Sequence, residues 1–348
     1  MTRVGILGAS NSVLNYSYVK LLSGYENLEV NNYAIGGTTG IYSLIADERF
    51  SVIDKHDIII FEYFVTDIAF HLDGFANVEN IKNSLIEIIH RCHGKRLLFV
   101  LIYCHSQIPQ YKESPVYNLY KEVMEEYNIS NVDGFDLLES VCEGWYDETL
   151  PFDHSHYLKF YRSREDAIHL NENTMKILSK EIYNRIEMDT INKVEVELTD
   201  SLFKNISLFD VGDYNINCNY FKNKWIGVNY FEGEDLEVSF DNNVKVLGIE
   251  YLCDMKSGYI QVDNGAQIIQ KNMLKADDFV TKRNKTMLSM VTFNEISFDK
   301  YSKKVMMGVT SPIHIQRELY DKEYNVREYE DDREVNLKIV SLLLENEF

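Results

Sequence analysis

The chain has 348 residues, 45% hydrophobic and 26% charged, an ordinary globular balance that excludes a disordered or fibrous protein and leaves room for two domains. Acidic residues outnumber basic ones 55 to 35. The resulting formal charge of −20 repels phosphate backbones and anionic lipid, so neither nucleic acid nor a membrane surface is expected as a partner. The apolar runs are strand-sized, and the N-terminus has no apolar stretch followed by a cleavage site. The five cysteines, Cys92, Cys104, Cys142, Cys218 and Cys253, are irregularly spaced and form no C-x-x-C pair. They read as reduced thiols, and a cytoplasmic location is expected.

In chain order, residues 4–7 (VGIL) read as a short strand and 16–23 as a helix. Strands follow at 28–35 and at 57–64 (DIIIFEYF), then a helix at 81–91 and a strand at 96–103. A helix at 116–127, a fifth strand at 131–137 and a helix at 172–187 complete the series. Nearly continuous apolar strands separated by helices imply a parallel sheet covered on both faces, a three-layer α/β domain over residues 1–188. Beyond Met188 the period changes to two. Residues 194–198 (VEVEL), 236–240 (LEVSF), 244–251, 259–262 and 287–293 are short strands separated by Asn, Asp and Gly turns, the pattern of a β-sandwich over residues 189–348. The charged, Tyr-rich stretch 320–334 reads as a loop or solvated insertion.

Four segments carry polar residues where chemistry is placed in an open α/β sheet, at the carboxyl ends of the strands. The first is Gly8-Ala9-Ser10-Asn11, where a Ser near a helix start meets backbone N–H groups. A dinucleotide fingerprint is the rival reading, but Asn11 and Leu14 stand where it needs glycines. The second is Gly36-Gly37-Thr38, whose paired glycines permit positive φ and an accessible N–H. The third is Glu62-Tyr63-Phe64-Val65-Thr66-Asp67. The fourth is Asp166-Ala167-Ile168-His169, where an Asp three residues before a His can orient its ring as general base. A second D-x-x-H, Asp153 to His156, is less favoured because no helix opens directly behind it. Asp153, His154 and His156 offer no fourth ligand and are read as loop residues, with no metal site.

The order of these four segments resembles the SGNH (GDSL-type) hydrolase family, over residues 3–187. The resemblance implies a flavodoxin-like α/β/α sandwich with Ser10 as nucleophile, His169 as base and Asp166 as its orienting acid. The oxyanion hole would take the backbone N–H groups of Ser10 and Gly37, with Thr66 where the family has an Asn. Two positions depart from the pattern: Ala9 replaces the family's Asp, and Thr66 replaces its Asn. A lost oxyanion donor costs about 2.7–4 kcal/mol, which either the Thr66 hydroxyl or Asn11 would have to offset. The implied reaction is acyl transfer on carbohydrate O-acyl esters, O-acetyl above all, as an esterase or a polysaccharide O-acetyltransferase. No cofactor is required, although acetyl-CoA would serve as donor to a transferase. The β half is compared with carbohydrate-binding modules, and the 24 Tyr and 18 Phe can stack on a glycan as well as fill a core. The alternative is a catalytically degenerate SGNH scaffold that binds a glycan or a partner enzyme.

Overall fold

The computed structural model describes residues 1–72, 76–104, 113–143, 145, 159–163, 166, 168–197, 205–214, 216–223, 226–254, 259–272, 286–292, 300–309 and 336–347. Two compact units make up the chain, one of Met1–Leu72 with Ala76–Leu202, the other including Phe203–Phe348.

Among the described residues the first unit is built on five strands, β1 (Thr2–Gly8), β2 (Leu28–Asn32), β3 (Ile58–Glu62), β4 (Arg96–Leu101) and β5 (Ser130–Asp133). All pair in parallel in the order β2-β1-β3-β4-β5. This is the flavodoxin-like order, and its direction reverses between β1 and β3, the crevice where ligands of such sheets bind. Every residue of β3 is buried, as a central strand covered on both faces requires. Its helices are α1 (Ser10–Val13), α2 (Tyr18–Leu22), α3 (Tyr42–Phe50), α4 (Val52–Lys55), α5 (Phe64–Leu72), α6 (Val78–Arg91), α7 (Pro115–Glu126), α8 (Gly134–Val141) and α9 (Glu172–Glu187). Helices α2 and α9 pack together, while α6 packs with α3 and α7, and α7 with α5.

Several boundaries differ from the sequence expectation, and for three of them the hydrogen bonds give the reason. The strand read over 57–64 ends at Glu62, because the Thr66 and Asp67 N–H groups both turn back to the Tyr63 carbonyl and open α5. The strand read over 131–137 ends at Asp133, whose carboxylate accepts the Phe135 N–H at 2.8 Å and caps α8. Of residues 194–198, read as the first strand of the β half, Val194 and Val196 instead bond to the first unit, and residue 198 lies outside the described residues. The Val194 carbonyl accepts the Gly94 N–H at 2.8 Å, and the Val194 N–H donates to Lys95 at 2.9 Å.

The second unit is mostly β, as expected. Its strands are β6 (Ile206–Asp210), β7 (Asn219–Lys222), β8 (Gly227–Gly233), β9 (Asp235–Cys253), β10 (Tyr259–Asp263), β11 (Ile268–Asn272), β12 (Met287–Thr292), β13 (Ser302–Val309) and β14 (Leu337–Asn346). Every described pairing is antiparallel, running β11-β10-β13-β9-β14-β8-β7, with β12 on β9 and β6 on β14. The 19-residue β9 contributes Val246, Ile249 and Tyr251 to an apolar core shared with Val262, Met307 and Leu342. The stretch 320–334 lies outside the described residues.

Candidate active site

Ser10 is the first residue of α1, directly behind β1 at the reversal of the sheet order, and is half-buried. The strand delivers it there because the Ala9 N–H continues the ladder to the Glu62 carbonyl at 3.0 Å. The Gly-Gly segment lies against it: a Cβ on Gly36 would stand 3.6 Å from that of Ser10. Gly37 follows with φ of +77°, a conformation that an L side chain adopts only at a cost. The structure therefore brings the first and second segments together.

The fourth segment forms a small loop closed by an antiparallel bridge between Tyr161 and Leu170, with the Arg162 N–H on the His169 carbonyl at 2.9 Å. Within it, His169 Nδ1 lies 2.5 Å from Asp166 Oδ1. A ring nitrogen facing a carboxylate holds its proton there, which leaves Nε2 as the acceptor. The other Asp166 oxygen accepts from Arg162 Nη1 at 2.9 Å. Asn171 then caps α9 by accepting the Thr174 N–H at 3.0 Å, so the helix behind the His fixes where the loop ends. Under the loop, Leu170 lines an apolar pocket with Ile102, Tyr103, Phe135, Trp145 and Tyr161.

One hydrogen bond joins the two halves of this arrangement. The Leu170 N–H donates to Asn11 Oδ1 at 3.2 Å, tying the residue after His169 to the residue after Ser10. Because only the amide oxygen can accept that N–H, the side-chain orientation follows. Asn11 is fully buried, and its Nδ2 has no partner among the described residues.

The third segment is placed differently from expectation. The Thr66 hydroxyl donates to the Tyr63 carbonyl at 2.8 Å within the first turn of α5, so its single proton is already used. Serving an oxyanion would require breaking that bond. Asp67 is buried, accepting the Gly40 N–H at 2.8 Å and the Tyr120 hydroxyl at 2.6 Å. Burial pushes its carboxyl up to about 6, against the pull of those two donors. Glu62 is also wholly buried, and its Oε2 accepts from Ser12 Oγ at 2.8 Å and the Ala9 N–H at 3.3 Å. Burial, with a smaller contribution from the Asp67 charge, pushes it up to about 8.

Sequence reasoning assigned no role to Glu62 or Arg162. Glu62 had a legible signal, an acid at the end of a run that otherwise reads as buried on both faces. Arg162 had none. Asp153, His154 and His156 lie outside the described residues.

No family model matches the sequence, and neither does any curated protein. Among solved structures, the chain is similar to a two-domain esterase active on acetylated mannans, at 12% identity and a TM-score of 0.63, over 99% of this chain and 92% of that one. The same description applies to a crystal with mannopentaose, at 13% identity and a TM-score of 0.62, over 100% of this chain and 91% of that one. At such identities the shared property is the fold. The chain thus shares its two-unit fold with that protein: a parallel α/β unit followed by an antiparallel β unit.

Proposed function

We propose that this chain is a serine esterase of the SGNH type that removes O-acetyl groups from a carbohydrate. The observation that carries the reading is the hydrogen-bonded His169–Asp166 pair, bound through Leu170 and Asn11 to the Ser10 turn. The end-to-end likeness to an esterase active on acetylated mannans supports the substrate class.

In this reading the Ser10 hydroxyl attacks the acetyl carbonyl while His169 Nε2 takes its proton, and Asp166 holds the resulting imidazolium. The backbone N–H groups of Ser10 and Gly37 meet the oxyanion. Collapse expels the sugar hydroxyl, which recovers the proton from His169. Water, activated by the same His, then releases acetate and free Ser10. Replacing that water by a sugar hydroxyl turns the same steps into O-acetyl transfer, with acetyl-CoA as one possible donor.

Intact mass spectrometry and product release, followed together with an aryl acetate and separately with acetyl-CoA, test the reading. Turnover of the aryl ester by wild type, and its loss in Ser10→Ala and His169→Ala, is the expected result. Turnover from acetyl-CoA to a sugar would shift the assignment to transferase. Absence of both adduct and product would favour a glycan-binding scaffold, the reading to which the engaged Thr66 hydroxyl points.

A further inference from the structure

The turn that presents Ser10 is gripped by a carboxyl from the neighbouring strand. Glu62 closes β3, and its Oε2 accepts from the chain on both sides of Ser10, at Ala9 N–H (3.3 Å) and at Ser12 Oγ (2.8 Å). The Ser12 hydroxyl is also 2.8 Å from the Tyr18 hydroxyl, and the Ser12 carbonyl accepts from Asn32 Nδ2 at 2.9 Å. Strands β2 and β3 and helix α2 therefore all converge on the residue two places after Ser10. Gly8 is required by the same pair: a Cβ there would fall 2.5 Å from Ser12 Oγ and 3.2 Å from Glu62 Oε2.

An acid is a costly way to fill this space. No cation contacts Glu62 among the described residues, and a buried, unpaired carboxylate is strongly unfavourable. An apolar side chain would avoid that cost but leave the Ser12 hydroxyl with Tyr18 alone and the Ala9 N–H with only the Glu62 main-chain carbonyl, so the side-chain link across Ser10 would be lost.

We propose that Glu62 is a positioning residue for Ser10, holding the residues on both sides of the nucleophile so that its hydroxyl stays aligned for attack. The inference rests on Ser10 being the nucleophile. Glu62 touches neither substrate nor reacting atoms and acts through the geometry of the turn. A neutral carboxylic acid suffices for this: Oε2 stays the acceptor and the proton resides on Oε1, which has no partner among the described residues. A glutamine amide oxygen reproduces that arrangement, whereas alanine abolishes it.

The test measures kcat and KM for an aryl acetate, and the rate of inactivation by a serine-directed organophosphate, in Ser10→Ala, Glu62→Gln, Glu62→Ala and Ser12→Ala. Glu62→Ala is expected to lower kcat by about 10- to 100-fold, the usual cost of a small misplacement of a reacting group, with KM near wild type and inactivation slowed in parallel. Glu62→Gln should restore most of the loss. Ser12→Ala removes one of the two contacts and should give a smaller drop in kcat, which keeps the test sharp if Glu62→Ala does not fold. Wild-type kcat in Ser12→Ala and in any folded Glu62→Ala enzyme would overturn the proposal, as would a loss in Glu62→Gln equal to that in Glu62→Ala. Wild-type turnover in Ser10→Ala would remove the nucleophile reading and this proposal with it. An inactive Ser10→Ala beside unaffected Glu62 and Ser12 variants would remove this proposal alone.

Discussion

Asp166 divides its two oxygens between His169 and Arg162, and the two contacts are unequal in kind. The Arg162 side chain is 55% exposed, so solvent screens its pair with Asp166 and Arg162→Ala should change stability by no more than about 1 kcal/mol. The contact with His169 decides the tautomer. In Asp166→Asn the amide can offer an N–H to the ring and place the proton on the wrong nitrogen, so aryl acetate turnover is expected to fall on the order of 10³–10⁴-fold with the fold intact. Asn11 is the second residue to probe. Asn11→Ala leaves the buried Leu170 N–H without its acceptor, which should cost about 1–3 kcal/mol in thermal unfolding and lower kcat as well, while Asn11→Asp keeps the acceptor and should lose less. Ser10, Asp166 and His169 were legible as motif residues because each motif is local. The bond through Asn11 spans 159 positions, and no local pattern encodes it.

The strand-to-helix turns hold the site, and their accuracy from sequence varied with what ends each strand. The run through 57–64 is apolar or aromatic beyond Glu62, so composition alone continued the strand where hydrogen bonds to Tyr63 begin a helix. The strand expected at 131–137 stopped short for a different reason, since Asp133, the last residue of β5, also caps α8 and turns the chain into that helix. In the β half, the ten-residue β14 had no place in the sequence reading, although it pairs with β6, β8 and β9. Eight of its residues are buried, so it lacks the alternation that marks a one-face strand. The Gly36-Gly37 turn gives the prediction at this scale. Gly37→Ala forces a side chain into φ of +77°, so a loss of about 1–2 kcal/mol and a drop in kcat are expected. In Gly36→Ala the new methyl makes only ordinary contact, 3.6 Å from Ser10 Cβ, so stability should hold. Paired melting curves and turnover assays check both; equal stability losses would contradict the argument.

Across the whole molecule the excess of acid has two buried members whose protonation is linked to folding. Glu62 and Asp67 face Tyr18, Tyr63 and Tyr120, and burial raises both carboxyls, to about 8 and about 6. The folded state therefore keeps protons that the unfolded chain has already released. The stability they contribute is complete below the ordinary carboxylate range and is lost as pH rises, through about 6 for Asp67 and about 8 for Glu62. Melting temperature should fall across this interval. Glu62→Gln should flatten the upper part of the slope and Asp67→Asn the lower part, and slopes unchanged from wild type would show that these groups do not titrate as described.

The alternation of apolar runs with helical stretches, and the change of period after Met188, determined by themselves an α/β unit followed by a mostly-β unit. Burial of strand faces writes that pattern directly into the chain. Only the tertiary structure decided that Thr66 spends its hydroxyl on its own backbone, that Asn11 ties the Ser10 and His169 turns together, and that Glu62 supports Ala9 and Ser12. Side-chain hydrogen bonds depend on which surfaces the fold brings within 3 Å or so, and two of these three join residues about 50 or more positions apart, where local periodicity carries no record of the partner.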